Sequence, residues 1–138
     1  NNSYCQDNPI TWLDWHHADE ALQGYTRDLI RLRQEIKLLG DDVWWEKERV
    51  GWLNAEGEPM SELYWHNRSA KAMQIVLDDE WLLLINAKRS QQIFNLPQGS
   101  WQLSCVPSEK FNYNQDGGLT VEHMGIWVLH RINVSPDK

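Results

Sequence analysis

Between residues 19 and 39 the apolar side chains fall in a helical rhythm. Leu22, Tyr25, Leu29, Leu32, Ile36 and Leu39 recur at alternating steps of three and four, which lines them along one face of an α-helix. Asp19 and Glu20 stand in the first turn, where the helix dipole favours negative charge. Arg27, Arg31, Arg33 and Lys37 lie on other faces, weighted toward the C-terminal half, and Gly40 supplies a stop. Six such side chains, each worth roughly 1.5 to 3 kcal/mol when fully buried, can hold the helix firmly on a partner surface. The pattern predicts one long helix over 19–39 with an apolar face that needs cover.

A charged linker interrupted by Trp44-Trp45 follows, and from residue 49 the helical period is gone. Residues 49–53 read as a short strand and 54–59 as a polar turn with Gly57 and Pro59. Residues 60–69 read as irregular, with one helical turn near Ser61 and Tyr64. Residues 70–77 alternate small or apolar with polar side chains, whereas 81–87 (WLLLINA) are nearly all apolar, as a central strand covered on both faces would be. Asp78-Asp79-Glu80 joins these two as a hairpin. Further strands are expected at 91–96, ending at Pro97-Gln98-Gly99, at 101–106, ending at Pro107, and at 119–123 and 125–132. Residues 108–118 read as a polar loop and the tail at 134–138 as frayed. The expected fold is mainly β: an antiparallel β-sandwich preceded by one long α-helix.

Composition narrows the function classes. Thirteen basic against twenty acidic side chains give a net charge of −7. The basic footprint of a nucleic-acid or anionic-membrane binder is therefore missing. No apolar run approaches the ~20 residues needed to span a bilayer, and the start lacks the pattern of a signal peptide. Cys5 and Cys105 stand a hundred positions apart without metal-ligand spacing, which points to a reduced, cytoplasmic chain. No cofactor or metal is expected. His16-His17 with Asp14 lacks a third ligand at zinc spacing, and Cys5 has no nearby His to activate it. Asp41-Asp42 and Asp78-Asp79-Glu80 pair carboxylates, the groups used in glycoside hydrolysis, but in linker and turn positions where solvent keeps them ordinary acids.

Sugar contact is the chemistry best supported locally. In residues 1–15, Asn1, Asn2, Gln6, Asp7, Asn8 and Asp14 alternate with Tyr4, Trp12 and Trp15. Fixed amide and carboxylate groups suit vicinal hydroxyls, and an aromatic ring covers the apolar C–H face of a pyranose. The plainer alternative is a surface loop turning at Asn8-Pro9. Nine tryptophans are an excess for 138 residues. Trp44, Trp45, Trp52 and Trp65 could form a sugar-binding platform, or could simply be packing.

The order of the opening residues is more specific than their composition. Asn1, Asn2, Tyr4, Cys5, Gln6, Asp7, Asn8 and then Trp12-Leu13-Asp14-Trp15, followed by the helix TRDLIRLRQE, resemble the bacterial glycogen debranching enzymes of the isoamylase type, members of the α-amylase superfamily. Weaker likeness continues in Val50-Gly51-Trp52, Gly57-Glu58-Pro59-Met60, Ile85-Asn86-Ala87 and Phe94-Asn95-Leu96-Pro97.

The resemblance implies that residues 1–40 are the last loop and helix of a (β/α)8 barrel, 41–49 a linker, and 50–138 the C-terminal sandwich. It places residues 1–8 on the C-terminal face of the barrel, where such folds carry their active sites, with Tyr4, Asp7 and Asn8 lining or buttressing a glucan cleft. The family's nucleophilic Asp, acid/base Glu and stabilising Asp precede residue 1, so no residue here inherits a catalytic role. The whole enzyme would cleave α-1,6 branch links of glycogen or limit dextrin with retention, using carboxyl groups about 5 to 5.5 Å apart; this piece alone would be silent. Its partners would be branched α-glucan and its own barrel, with self-association through the helix face where the barrel is lacking. An independent carbohydrate-binding module and a purely structural domain are the alternatives.

Overall fold

In a computed structural model, residues 4–42, 44–107 and 111–132 are described. Asn1, Asn2 and the expected frayed tail at 134–138 lie outside them. A 3-10 turn at Trp15–His17 precedes helix α1, Glu20–Glu35, which Asp19 caps by accepting from the Leu22 amide at 2.9 Å. A short helix α2, Lys37–Gly40, follows. Eight strands are described: β1 Val50–Leu53, β2 Ala72–Leu77, β3 Trp81–Asn86, β4 Gln92–Phe94, β5 Trp101–Cys105, β6 Phe111–Tyr113, β7 Leu119–Val121 and β8 Gly125–Arg131, with helix α3, Glu62–Trp65, between β1 and β2.

The strands form two antiparallel sheets, one ordered β1-β2-β3-β8-β5 and the other β4-β7-β6. Between them lies a core in which Leu82, Leu84, Trp127 and Leu129 of the large sheet meet Phe94, Leu119 and Val121 of the small one. The fold is thus mainly β, as the strand pattern implies. The outer face of the large sheet carries a second core, where Val50, Ile75, Leu77, Cys105 and Val128 receive Leu32, Ile36 and Leu38 from the helices. Alternate residues of β2, β3 and β8 serve the two cores, so these strands are covered on both sides. In β5 a register shift between Leu103 and Cys105 sends Leu103 to the inner core and Cys105 to the outer one.

Two details depart from the sequence reading. The helix does not run unbroken to Leu39: Ile36 takes an extended conformation with ψ 95°. Ile36 and Leu38 are both buried, yet residues two apart on one helix point about 200° from each other, and the break lets both reach the sheet. Strand β6 lies inside the expected polar loop. It pairs with β7 across a tight turn closed by the Asn114 amide on the Gly118 carbonyl at 2.8 Å, with Gly117 at φ 82°.

Polar groups inside are spent on tying segments together. Gln74, wholly buried, donates to the carbonyls of Asn54 at 2.9 Å and Asn95 at 2.8 Å. Asn86 donates to the His123 carbonyl at 2.9 Å and accepts from the Lys88 amide at 2.9 Å. Gly57, at φ 85°, sits so close to Asn95 that a Cβ would fall 2.7 Å from its carbonyl oxygen. The likeness at 57–60, 85–87 and 94–97 therefore falls on structural joints.

The β2–β3 turn places Asp78 and Asp79 at φ 50° and 56°, the left-handed pair that a tight hairpin needs. Arg49 grips Asp78 with two hydrogen bonds of 2.7 Å and reaches Asp41 at 3.1 Å, joining the chain after α2 to the hairpin. The Arg49 guanidinium holds the Asp78 carboxyl below the usual carboxylate range. The folded protein thus binds that proton less tightly than the unfolded chain. The contribution is present in full above about pH 4 and is lost as the pH falls through the depressed value.

Two outcomes are expected in urea titrations. The stability gap between wild type and Asp78→Asn, which keeps the turn conformation, should be constant at neutral pH and close progressively on acidification below about pH 4. Leu32→Ala should cost about 2 to 5 kcal/mol. Ile30→Ala, on an exposed flank of the same helix, should change stability by no more than about 0.5 kcal/mol.

Candidate functional site

The expected sugar-contacting residues fall in two places. In the first, the chain from Tyr4 to His17 folds on itself before α1. Asp7 accepts from the Trp12 indole at 2.5 Å, and the Asn8 side chain accepts from the Ile10 amide at 3.0 Å. The Asn8 carbonyl receives the Thr11 amide at 2.9 Å. Asp14 accepts from the His16 amide at 3.1 Å and meets His17 Nδ1 at 2.6 Å. Asp7 and Asn8 are thus engaged in holding their own loop. Tyr4, 80% exposed and at φ 52°, turns most of its surface outward. Among the described residues, no three His, Cys, Asp or Glu side chains converge in a way that could hold a metal.

The second place is a corner of the large sheet's outer face. Trp52, on edge strand β1, stands opposite Ile75 and shares its face. Trp45 lies 6.1 Å from Trp52 at an interplanar angle of 35°, and Trp65 lies 5.7 Å from Trp52 at 66°. The Trp45 indole donates to the Leu38 carbonyl at 3.3 Å, satisfying a group that the end of α2 leaves open. Trp65 ends α3, whose cap Ser61 accepts from the Tyr64 amide at 3.2 Å. These three rings are 41%, 37% and 50% exposed. Trp44, 95% exposed, makes no ring contact among the described residues. Of the four expected platform residues, the fold brings together three.

Beside Trp65 opens a groove of about 330 Å³, floored by Met73, Ile85 and Ala87 and walled by Met60, Tyr64 and Trp65. The Tyr64 hydroxyl donates to the Ala72 carbonyl at 3.1 Å. Burial, reinforced by the nearby Glu56 charge, raises its pKa. This groove escaped the sequence reading, which gave 60–69 as irregular with one helical turn near Ser61 and Tyr64, the turn that α3 supplies; the adjacent aromatics of ELYW were the available signal.

Helix α1 presents a further surface. Tyr25 and Leu29 pack toward the sheet, and the Tyr25 hydroxyl donates to the Ile126 carbonyl at 2.8 Å. Leu22 and Ile30, each 58% exposed, line a shallow depression with Thr26, about a quarter turn round the helix from the packed face.

A family model described as the glycogen debranching enzyme C-terminal domain matches residues 46–118, more than half of the chain. The Haemophilus influenzae protein named glycogen operon protein GlgX homolog is 52% identical over 102 residues. Proteins named glycogen debranching enzyme from Yersinia pseudotuberculosis and Yersinia pestis are each 45% identical over 104. Each alignment covers 74% of this chain and 16% of the relative, so the chain spans about a sixth of their length.

The range of tryptophan exposure gives a direct solution check. In acrylamide quenching, Trp44→Phe should remove the most strongly quenched part of the emission. Trp127→Phe, at a fully buried ring, should remove none of it.

Proposed function

Because the chain belongs to the glycogen debranching enzyme C-terminal domain family, we propose that it is the C-terminal part of a cytoplasmic, isoamylase-type enzyme that hydrolyses α-1,6 branch links in glycogen or limit dextrin. Residues 1–40 would complete the catalytic barrel, 41–49 join it to the sandwich, and 50–138 brace it. The nucleophile and acid/base would lie in the preceding barrel and work with retention. Tyr4 would offer its ring to a sugar face at the cleft, and Asp7 and Asn8 would buttress the loop that carries it.

One observation supports this reading most directly: on a flank that the sheet does not cover, α1 exposes the apolar Leu22 and Ile30 among Asp19, Gln23, Thr26 and Arg27. The strip of Leu22, Thr26 and Ile30 suits a second neighbour, and a barrel supplies one. Two copies of the isolated chain would pair through the same strip. The exposed Cys5 thiol and the buried Cys105 thiol, both free, accord with a reducing compartment.

The longer protein that carries this chain should release linear maltooligosaccharides from glycogen limit dextrin, whereas the isolated chain releases none. Depolymerisation of unbranched amylose without debranching would overturn the assignment. Tyr4→Ala in the longer protein should raise KM several-fold for branched substrate. In light scattering the isolated chain should show a concentration-dependent dimer that Ile30→Asp abolishes; a strictly monomeric wild type would refute the pairing.

A further inference from the structure

The Trp45, Trp52 and Trp65 arc, with the groove beside Trp65, has no part in the proposed cleft. We propose that it is a binding site for the unbranched α-1,4-linked outer chains of the glucan, a deepening that rests on the debranching reading above.

Three observations carry the proposal. The rings follow one another at 6.1 and 5.7 Å while turning by 35° and then 66°. An α-1,4-glucan coils, so the apolar faces of its successive sugars also turn; a flat β-1,4 ribbon would ask for coplanar rings. The rings are held from behind: Trp45 by the Leu38 carbonyl, Trp52 by the strand, Trp65 by the capped turn of α3. Ordering them on binding therefore costs little further side-chain entropy. Finally, among the described residues Lys71 is the single charged one lining the groove, in a chain of net charge −7. A neutral ligand needs no countercharge there, and the rim amide of Asn67 and ammonium of Lys71 offer donors to sugar hydroxyls.

The test titrates the chain with maltoheptaose and with cellohexaose, following tryptophan emission and heat. Maltoheptaose should bind and cellohexaose should not. Trp65→Ala should weaken binding about ten-fold, a loss of about 1.4 kcal/mol, within the range of one aromatic contact. Trp44→Ala should leave it unchanged. Lys71→Ala, at a rim position that the fold does not need, should weaken binding more modestly and guards against a Trp65 variant that fails to fold.

Equal binding of both oligosaccharides would overturn the α-1,4 assignment. No binding by a folded wild-type chain would overturn the site and leave the arc as packing for the rest of the enzyme. Debranching by the longer protein, assayed in parallel, separates the two failures: activity without binding by the chain rejects this site alone, and absent activity rejects the reading beneath it.

Discussion

The central strands β2, β3 and β8 are apolar on both faces, and the architecture follows from covering them twice. On one side the three-stranded sheet contributes Phe94, Leu119 and Val121 to Leu82, Leu84, Trp127 and Leu129. On the other, only the helices are available, and Leu32, Ile36 and Leu38 close over Ile75, Leu77 and Val128. A two-layer sandwich would leave that second face in water, an apolar patch of the size that drives association. Helix α1 is therefore a third layer of this unit, whatever else it meets on its exposed flank.

That demand explains the break at Ile36. A helix continued to Leu39 would keep its hydrogen bonds but bury only one of Ile36 and Leu38. Burying the second offsets the interruption, at roughly 1.5 to 3 kcal/mol for a side chain of this size. Arg49 then fixes the result, because the chain that leaves α2 at Asp41 and the hairpin that carries Asp78 are held by one guanidinium. The helix is tied to the sheet at both ends: Tyr25 on Ile126 near its start, and this fork just past α2.

Much of this was legible in the sequence. The positions of most strands, the hairpin at Asp78-Asp79-Glu80 and the apolar run expected at 81–87 followed from alternation and turn chemistry, because those signals are local. The break was not legible, since it depends on which of two neighbouring apolar residues the sheet can accept. Strand β6 was hidden because Phe111 and Tyr113 sit among polar residues, and only pairing with β7 makes them a strand. At the candidate sites, residue type suggested sugar contact, but spacing could not separate Trp44 from Trp45, adjacent in sequence and parted by the fold. Nor could it show that Asp7 and Asn8 would bond their own loop.

The same distinction separates the two proposed glucan contacts. In the Tyr4 to His17 loop, most polar side chains serve the loop, so its value to a ligand depends on what holds that loop from outside. The Trp45, Trp52 and Trp65 corner needs no such help. Its rings are anchored by α2, β1 and α3, all within this chain, while each keeps between a third and a half of its surface in solvent. A rigid, half-exposed aromatic cluster remains costly to leave in water. A corner held in that state by three separate elements has the preorganisation that the proposed glucan site requires.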